Sequence, residues 1–124
     1  MARILVADDE PEQAALRKFL LEDAGHHVCV AGNPADTLDE MKRAAVDLVI
    51  MDLRFPNAAG EPDAAEGLEL IRGIRRLEAH IPVLVLSGWP EELYGAPEEK
   101  MVSGIMVKPV SLPVLLEAIA GLVC

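Results

Sequence analysis

Val46-Asp47-Leu48-Val49-Ile50-Met51-Asp52-Leu53-Arg54 decides the fold, because an unbroken apolar run ends abruptly in a carboxylate. Residues 48–51 read as a strand. A short, continuous run rich in Val and Ile, without polar alternation, is the pattern of a strand covered on both faces of a parallel sheet. Asp52 then stands at the carboxyl end of that strand, the edge at which open α/β sheets bind ligands. Taken alone, the same Asp is better explained as a solvated residue that stops a strand. Three other strand ends change that reading.

Outward from this strand the chain alternates regularly. Residues 4–7 are a first strand that also stops at carboxylates, Asp8-Asp9-Glu10, and Pro11 behind them suits the first turn of a helix. Leu16, Phe19 and Leu20 repeat at helical spacing and predict one buried stripe before Gly25 closes that helix. Residues 27–31 are a second strand. Asn33 as cap and Pro34 as first residue start a second helix that runs to about Ala44, with Ala35, Leu38 and Met41 on one face. After the central strand, a stretch from about 54 to 65 is dense in Gly, Pro and Asn and lacks apolar periodicity. It predicts a long loop, of a length that is uncommon in compact domains and often functional. Helical spacing resumes at Glu66, with Leu70, Ile71, Ile74 and Leu77 on one side and Arg72, Arg75, Arg76 and Glu78 on the other. Residues 81–86 are a fourth strand, ending at Ser87-Gly88. From 89 to 103, Pro90, Gly95 and Pro97 allow at most two short turns, so the fourth helix region is irregular. Residues 105–107 are a short fifth strand ending at Lys108-Pro109. Ser111 caps a last helix whose face carries Leu115, Ala118, Ile119 and Leu122.

The 124 residues suffice for one domain with a real core and are too few for two. Hydrophobic residues make up 52% and aromatic residues 3%, so the core must be aliphatic and the chain is not disordered. A formal charge of -10, spread over both halves, argues against nucleic acid as partner, which needs clustered Lys and Arg. Cys29 and Cys124 form no metal-ligand or redox spacing and suggest a reducing compartment. Met1-Ala2-Arg3 leads into an apolar run too short to export the chain or span a membrane. The expected location is therefore the cytoplasm, with no membrane as partner.

Alternation of strand and helix five times predicts an α/β doubly wound domain over residues 1–124, with a five-stranded parallel sheet and right-handed crossovers. If the first and third strands are neighbours, as in the flavodoxin-like order 2-1-3-4-5, Asp8, Asp9 and Asp52 meet at the topological switch point. Ser87 and Lys108 then end on the same edge. Three crowded carboxylates resist ionisation unless a cation joins them. Oxygen-only ligands suit a hard ion such as Mg²⁺. With a lysine and a serine added, the constellation describes a pocket for a small, doubly charged anion beside a nucleophilic carboxylate, which is phosphoryl transfer to Asp52.

These residues resemble the receiver domain of two-component response regulators. Ile4-Leu5-Val6-Ala7-Asp8-Asp9-Glu10, Met51-Asp52-Leu53, Leu86-Ser87 and Lys108-Pro109 occur in that family's order and nearly its spacing. Each piece alone is weak, since a lone Asp-Asp is most often a solvated turn and a lone Lys-Pro most often a loop. Their combination is specific. The resemblance implies a flavodoxin-like (βα)5 fold and makes Asp52 the phosphoacceptor, phosphorylated by a histidine kinase or a histidine phosphotransfer protein. It also implies Mg²⁺ (or Mn²⁺) held directly by Asp9 and Asp52, by Asp8 mainly through water, and by the carbonyl of Arg54. Ser87 and Lys108 match the positions that bind phosphoryl oxygens, and the Lys108-Pro109 bond is usually cis in the family. The resemblance further implies a signalling domain that assists its own phosphorylation and dephosphorylation rather than an enzyme, with an output partner that the residues do not name.

Two departures from the family pattern, and two positions at which the family tunes phosphoryl lifetime, bear on function. The stretch from 55 to 65 is longer than the family's turn and overhangs the active edge, where it either alters access of the phosphodonor or is a tolerated insertion. Ile105 stands where receivers carry the Tyr or Phe that turns inward as the residue at Ser87 moves. With the irregular region after Trp89, this leaves open a pseudo-receiver, a phosphorylation-independent interaction module. Arg54 and Trp89 lie two residues past Asp52 and Ser87, at positions that tune phosphoryl lifetime; Trp89 either shields the phosphate or packs on the long loop. An Asp-nucleophile phosphohydrolase needs a second Asp where Arg54 stands, and no glycine-rich phosphate loop supports nucleotide binding.

Overall fold

In a computed structural model that describes residues 1–123, leaving Cys124 outside, the apolar run is the centre of a five-stranded parallel sheet. The elements in order are β1 (Arg3–Ala7), α1 (Pro11–Asp23), β2 (His27–Ala31), α2 (Pro34–Arg43), β3 (Leu48–Asp52), β4 (Phe55–Pro56), β5 (Pro62–Asp63) and α3 (Ala64–Leu77). They continue with β6 (Val83–Ser87), two 3₁₀ turns at Pro90–Glu92 and Pro97–Met101, β7 (Gly104–Val107) and α4 (Leu112–Val123). The sheet order is β2-β1-β3-β6-β7, which is 2-1-3-4-5 for the core strands. Because strand side chains alternate, even and odd positions feed two separate cores. Ile4, Val6, Leu48, Ile50, Leu84 and Leu86 pack with Leu21 of α1 and with Leu115 and Ile119 of α4. On the other face, Leu5, Val49, Met51, Val83 and Val85 pack with Leu70, Ile71 and Ile74 of α3. The run 48–51 is apolar throughout because it serves both.

The caps read from the sequence form as expected. Asn33 Oδ1 accepts from the Asp36 N–H at 2.8 Å, and Gly25 ends α1 with φ near 101°. The predicted face of α1 is wrong. Leu16 and Phe19 are 59% and 65% exposed, and the helix instead turns Ala14, Arg17, Lys18 and Leu21 to the sheet. Arg17 reaches Asp8 and Lys18 donates to the carbonyl of Val28, so two polar anchors rotate the apolar stripe outward. In α2 the buried residue is Thr37 rather than Ala35, its hydroxyl satisfied by the Asn33 carbonyl at 2.8 Å. Leu77, expected inside on α3, is also largely exposed. Arg75, expected outside, turns inward to donate to the carbonyls of Met101 and Ile81.

The fourth crossover has the irregular form that its prolines and glycine predict: it contains no α-helix, and the flavodoxin-like sheet is flanked by four α-helices among the described residues. Pro90, Gly95 with φ near 83°, and Pro97 divide that segment into the two 3₁₀ turns. It is tied down by Leu93 in the core and by the pair between Arg72 of α3 and the buried Glu98. The stretch read as a loop from about 54 to 65 is an ordered hairpin, and α3 begins at Ala64 rather than at Glu66. Phe55 is fully buried at its root, and β4 pairs antiparallel with β5. Asn57 Oδ1 accepts from the N–H groups of Ala59 and Glu61, replacing backbone partners across the turn. Asp63 then caps α3 by accepting from Ala65, and this bond, with a second from Asn57, holds its carboxyl below the usual range.

Candidate functional site

Every strand end singled out in the sequence lies on one edge of the sheet. β1 and β3 are neighbours in register Ala7 to Met51, so Asp8, Asp9 and Asp52 emerge together at the switch point. One ligand atom from each lies within 4.8 Å of the others, a spacing that a single hard cation can bridge. Asp8 is buried, its two oxygens engaged by the Glu10 N–H at 2.9 Å and by Arg17 at 3.4 Å. Burial raises Asp9 above its ordinary value; its backbone hydrogen bond opposes this, and the charges of Asp8 and Asp52 add to it.

β7 places Lys108 across from Asp52. The Lys108 N–H donates to the Ser87 carbonyl at 2.9 Å, which fixes the chain where it leaves β7, and Nζ then reaches Asp52 Oδ2 at 2.9 Å. The other oxygen of Asp52 accepts from the Leu53 N–H at 2.8 Å. The carboxylate is thus oriented by one donor on each oxygen, and lone pairs remain for attack. Ser87 is buried at the end of β6, and its Oγ accepts from the Trp89 N–H at 2.9 Å, leaving its own proton to donate. The Lys108-Pro109 peptide is cis.

Residues 4–120 match the family model of the response regulator receiver domain. The chain belongs to that family. Among its relatives, the receiver is 33% identical over 126 residues to the sensory/regulatory protein RpfC of Xanthomonas campestris, covering 97% of this chain and 16% of RpfC. It is 32% identical over 121 residues to the CAI-1 autoinducer sensor kinase/phosphatase CqsS of Vibrio cholerae, covering 96% of this chain and 17% of CqsS. The chain therefore spans about a sixth of the length of these two relatives. Its fold matches the response regulator TrrA of Thermotoga maritima, solved in complex with Mg²⁺-BeF, with a TM-score of 0.84 and 27% identity over 98% of this chain and 99% of TrrA. A second TrrA structure, in complex with the histidine kinase ThkA, matches with a TM-score of 0.84 and 27% identity over the whole of both chains. The receiver is accordingly a signalling domain of two-component systems. No helix of its described residues is long and apolar enough to cross a membrane.

Four features of the receiver's site escape sequence reading. Arg17 meets Asp8 only because α1 faces the sheet with its polar side. Gly67 brings α3 so close to the end of β3 that a Cβ there would overlap the Leu53 backbone, next to Asp52. Asn57 ties the hairpin turn together by accepting from the N–H groups of Ala59 and Glu61. Glu92, one of two adjacent acids in a turn, forms a bidentate pair with Arg54, Oε1 to Nε at 2.8 Å and Oε2 to Nη2 at 2.9 Å. The Glu92 hydrogen bond raises the Arg54 guanidinium further above its ordinary value. Arg54 Cζ also lies 3.6 Å from the centroid of the Trp89 ring, a cation–π stack. Trp89 therefore packs on Arg54 at the mouth of the site and remains 50% exposed. Ile105 packs into the apolar cluster with Leu93 and Met101.

Proposed function

We propose that this receiver accepts a phosphoryl group on Asp52 from the phosphohistidine of a histidine kinase or a histidine phosphotransfer protein. The observation that carries the reading is the Lys108–Asp52 contact at 2.9 Å beside the three-carboxylate cluster, a nucleophile and its charge-neutralising partner on one sheet edge. An Asp52 oxygen attacks phosphorus as the phosphorus–nitrogen bond to the donor histidine breaks. The imidazole leaves with the bonding pair, and an aspartyl phosphate remains. Lys108 follows the transferred oxygens, and the Ser87 proton donates to one of them. The acidic donor set suits Mg²⁺ or Mn²⁺, which Asp9, Asp52 and the Arg54 carbonyl would hold directly and Asp8 through water, and which would supply charge neutralisation for the phosphoryl oxygens. Catalysis is thus positioning and charge neutralisation. Arg54 and Trp89 set the lifetime of the product by restricting water, and the hairpin from Phe55 to Asp63 forms a fixed wall that shapes donor access.

Intact-mass measurement after incubation with acetyl phosphate and Mg²⁺ tests this reading. One added phosphoryl group that requires the metal is the expected result. A folded protein that gains none, and that binds no beryllofluoride, is instead a phosphorylation-independent interaction module.

The raised Asp9 carboxyl also predicts a pH signature. A carboxyl whose value is higher in the folded state binds its proton more tightly there, so the contribution of Asp9 to metal-free stability is fully present below the unfolded carboxylate range. It falls as the pH rises from that range through the value of folded Asp9. Saturating Mg²⁺ should restore stability at neutral pH, by about 2.7 kcal/mol at a hundred times its Kd. The increment should vanish on acidification as protons displace the ion. Thermal midpoints against pH, with and without Mg²⁺, check both signs.

A further inference from the structure

The receiver's site is joined to the 3₁₀ turn at Pro90–Glu92 by two links. One is the hydrogen bond from the Trp89 N–H to Ser87 Oγ, at 2.9 Å. The other is the bidentate pair from Arg54, two residues past Asp52, to Glu92, which spans 38 residues of sequence. Trp89 lies between them with its ring against the Arg54 guanidinium. Since Asp52 and Leu86 are in register on adjacent strands, this bridge crosses the sheet edge beside Asp52.

We propose that Glu92 is a positioning residue that holds Arg54 on Trp89 in the unphosphorylated receiver, and that a phosphoryl group on Asp52 takes Arg54 from Glu92 and so frees the turn. The inference rests on Asp52 being the phosphoacceptor. Its physical basis is a competition between anions for one guanidinium. Arg54 is bound in a fork that fits a carboxylate or a phosphoryl group equally well in geometry. The phosphoryl group carries more negative charge than the Glu92 carboxylate, close to two units at neutral pH. Both partners of the existing pair keep 28% and 27% of their side-chain surface open, so a more highly charged anion can reach the guanidinium and compete for it. Ser87, in donating its proton to the phosphoryl group, shifts the oxygen on which the Trp89 N–H rests. Both links therefore move the same turn. Ile105 has no polar side-chain atom with which to register the change and packs against an apolar cluster, whereas both links end on residues 89–92.

Trp89 is the sole tryptophan, so its fluorescence reports the stack directly. The experiment is a beryllofluoride titration with Mg²⁺, followed by Trp89 emission and by ¹⁹F resonance, in the parent receiver, Glu92→Gln and Asp52→Asn. In the parent, emission should change in step with the bound ¹⁹F signal, and in Asp52→Asn neither should appear. Glu92→Gln should begin with emission close to that of the ligated parent and bind beryllofluoride roughly two- to fivefold more tightly, because the competing anion is gone. A Glu92 that merely stiffened the turn would give equal or weaker binding. Either that result, or bound ¹⁹F signal with unchanged Trp89 emission, overturns the inference and leaves the phosphoacceptor reading standing. No bound ¹⁹F signal in the parent, with no phosphoryl group gained by mass, overturns the phosphoacceptor reading itself and the inference with it.

Discussion

Asp52→Asn, incubated with acetyl phosphate and Mg²⁺, should gain no phosphoryl group by intact mass, while the parent receiver gains one. An amide oxygen carries too little charge to displace the donor, and among the described residues no second carboxylate pairs with Lys108 Nζ, which lies 2.9 Å from Asp52 Oδ2. Asp8 is turned to Arg17 and to the Glu10 N–H instead. Loss of labelling is not expected to come from unfolding. Removing the Asp52 charge lowers the repulsion that helps to raise Asp9, so the metal-free Asp52→Asn variant should melt at or above the parent temperature. Lys108→Ala separates nucleophile from helper. It keeps Asp52 but removes the donor that meets the transferred oxygens, and labelling should slow by roughly 10²-fold, the usual cost of one such group. Equal rates for Lys108→Ala and parent would remove Lys108 from the chemistry.

Gly67→Ala should be the most damaging of the glycine-to-alanine changes in the protein. In an exposed helix the change is favourable by about 1 kcal/mol, because alanine is the better helix former. Here the added carbon would overlap the carbonyl of Leu53, which is backbone and belongs to the residue that follows Asp52. Overpacking against side chains costs about 1–3 kcal/mol, and a backbone obstacle yields less readily than a side chain. The net expectation is a loss of about 3 kcal/mol and a fall in thermal midpoint of roughly 10 °C. Gly73→Ala, on the same helix, meets only the flexible end of Leu38 at 3.1 Å and should change stability by less than about 1 kcal/mol. A thermal melt of the two variants side by side decides the matter. If both behave alike, α3 can move away from β3 at little cost, and the placement of Asp52 does not depend on their close approach.

The strands are legible because each is a short apolar run that ends in a turn-forming or charged residue, and the structure shifts their limits by two residues at most. The four reactive strand ends, Asp8 and Asp9, Asp52, Ser87 and Lys108, follow directly, since parallel strands bring their carboxyl ends to one edge. Asn33 and Gly25 are legible for the same reason, as each acts on backbone within a few residues. The hairpin is not. Only two residues pair on each side, and the backbone bonds that close the turn are reinforced by the Asn57 side chain, a feature that resembles loop composition when seen as letters. The face of α1 escapes the sequence because two helical stripes compete. Leu16, Phe19 and Leu20 are the more apolar set, yet Ala14, Arg17, Lys18 and Leu21 are the set that the sheet and Asp8 accept.

The order of the amino acids thus settled much of what rests on near neighbours: the five strands of the sheet, the caps at Asn33 and Gly25, the broken fourth crossover, and the residue types delivered to the active edge. Three-dimensional packing settled which partners those residues keep. Arg54 with Glu92 across 38 positions, Arg17 with Asp8, and Gly67 against Leu53 are all meetings between separate elements. Turning a helix about its axis leaves its own backbone hydrogen bonds unchanged, so local propensity is silent on the outcome. The choice falls to the burial, charge and clearance that each face finds against the sheet.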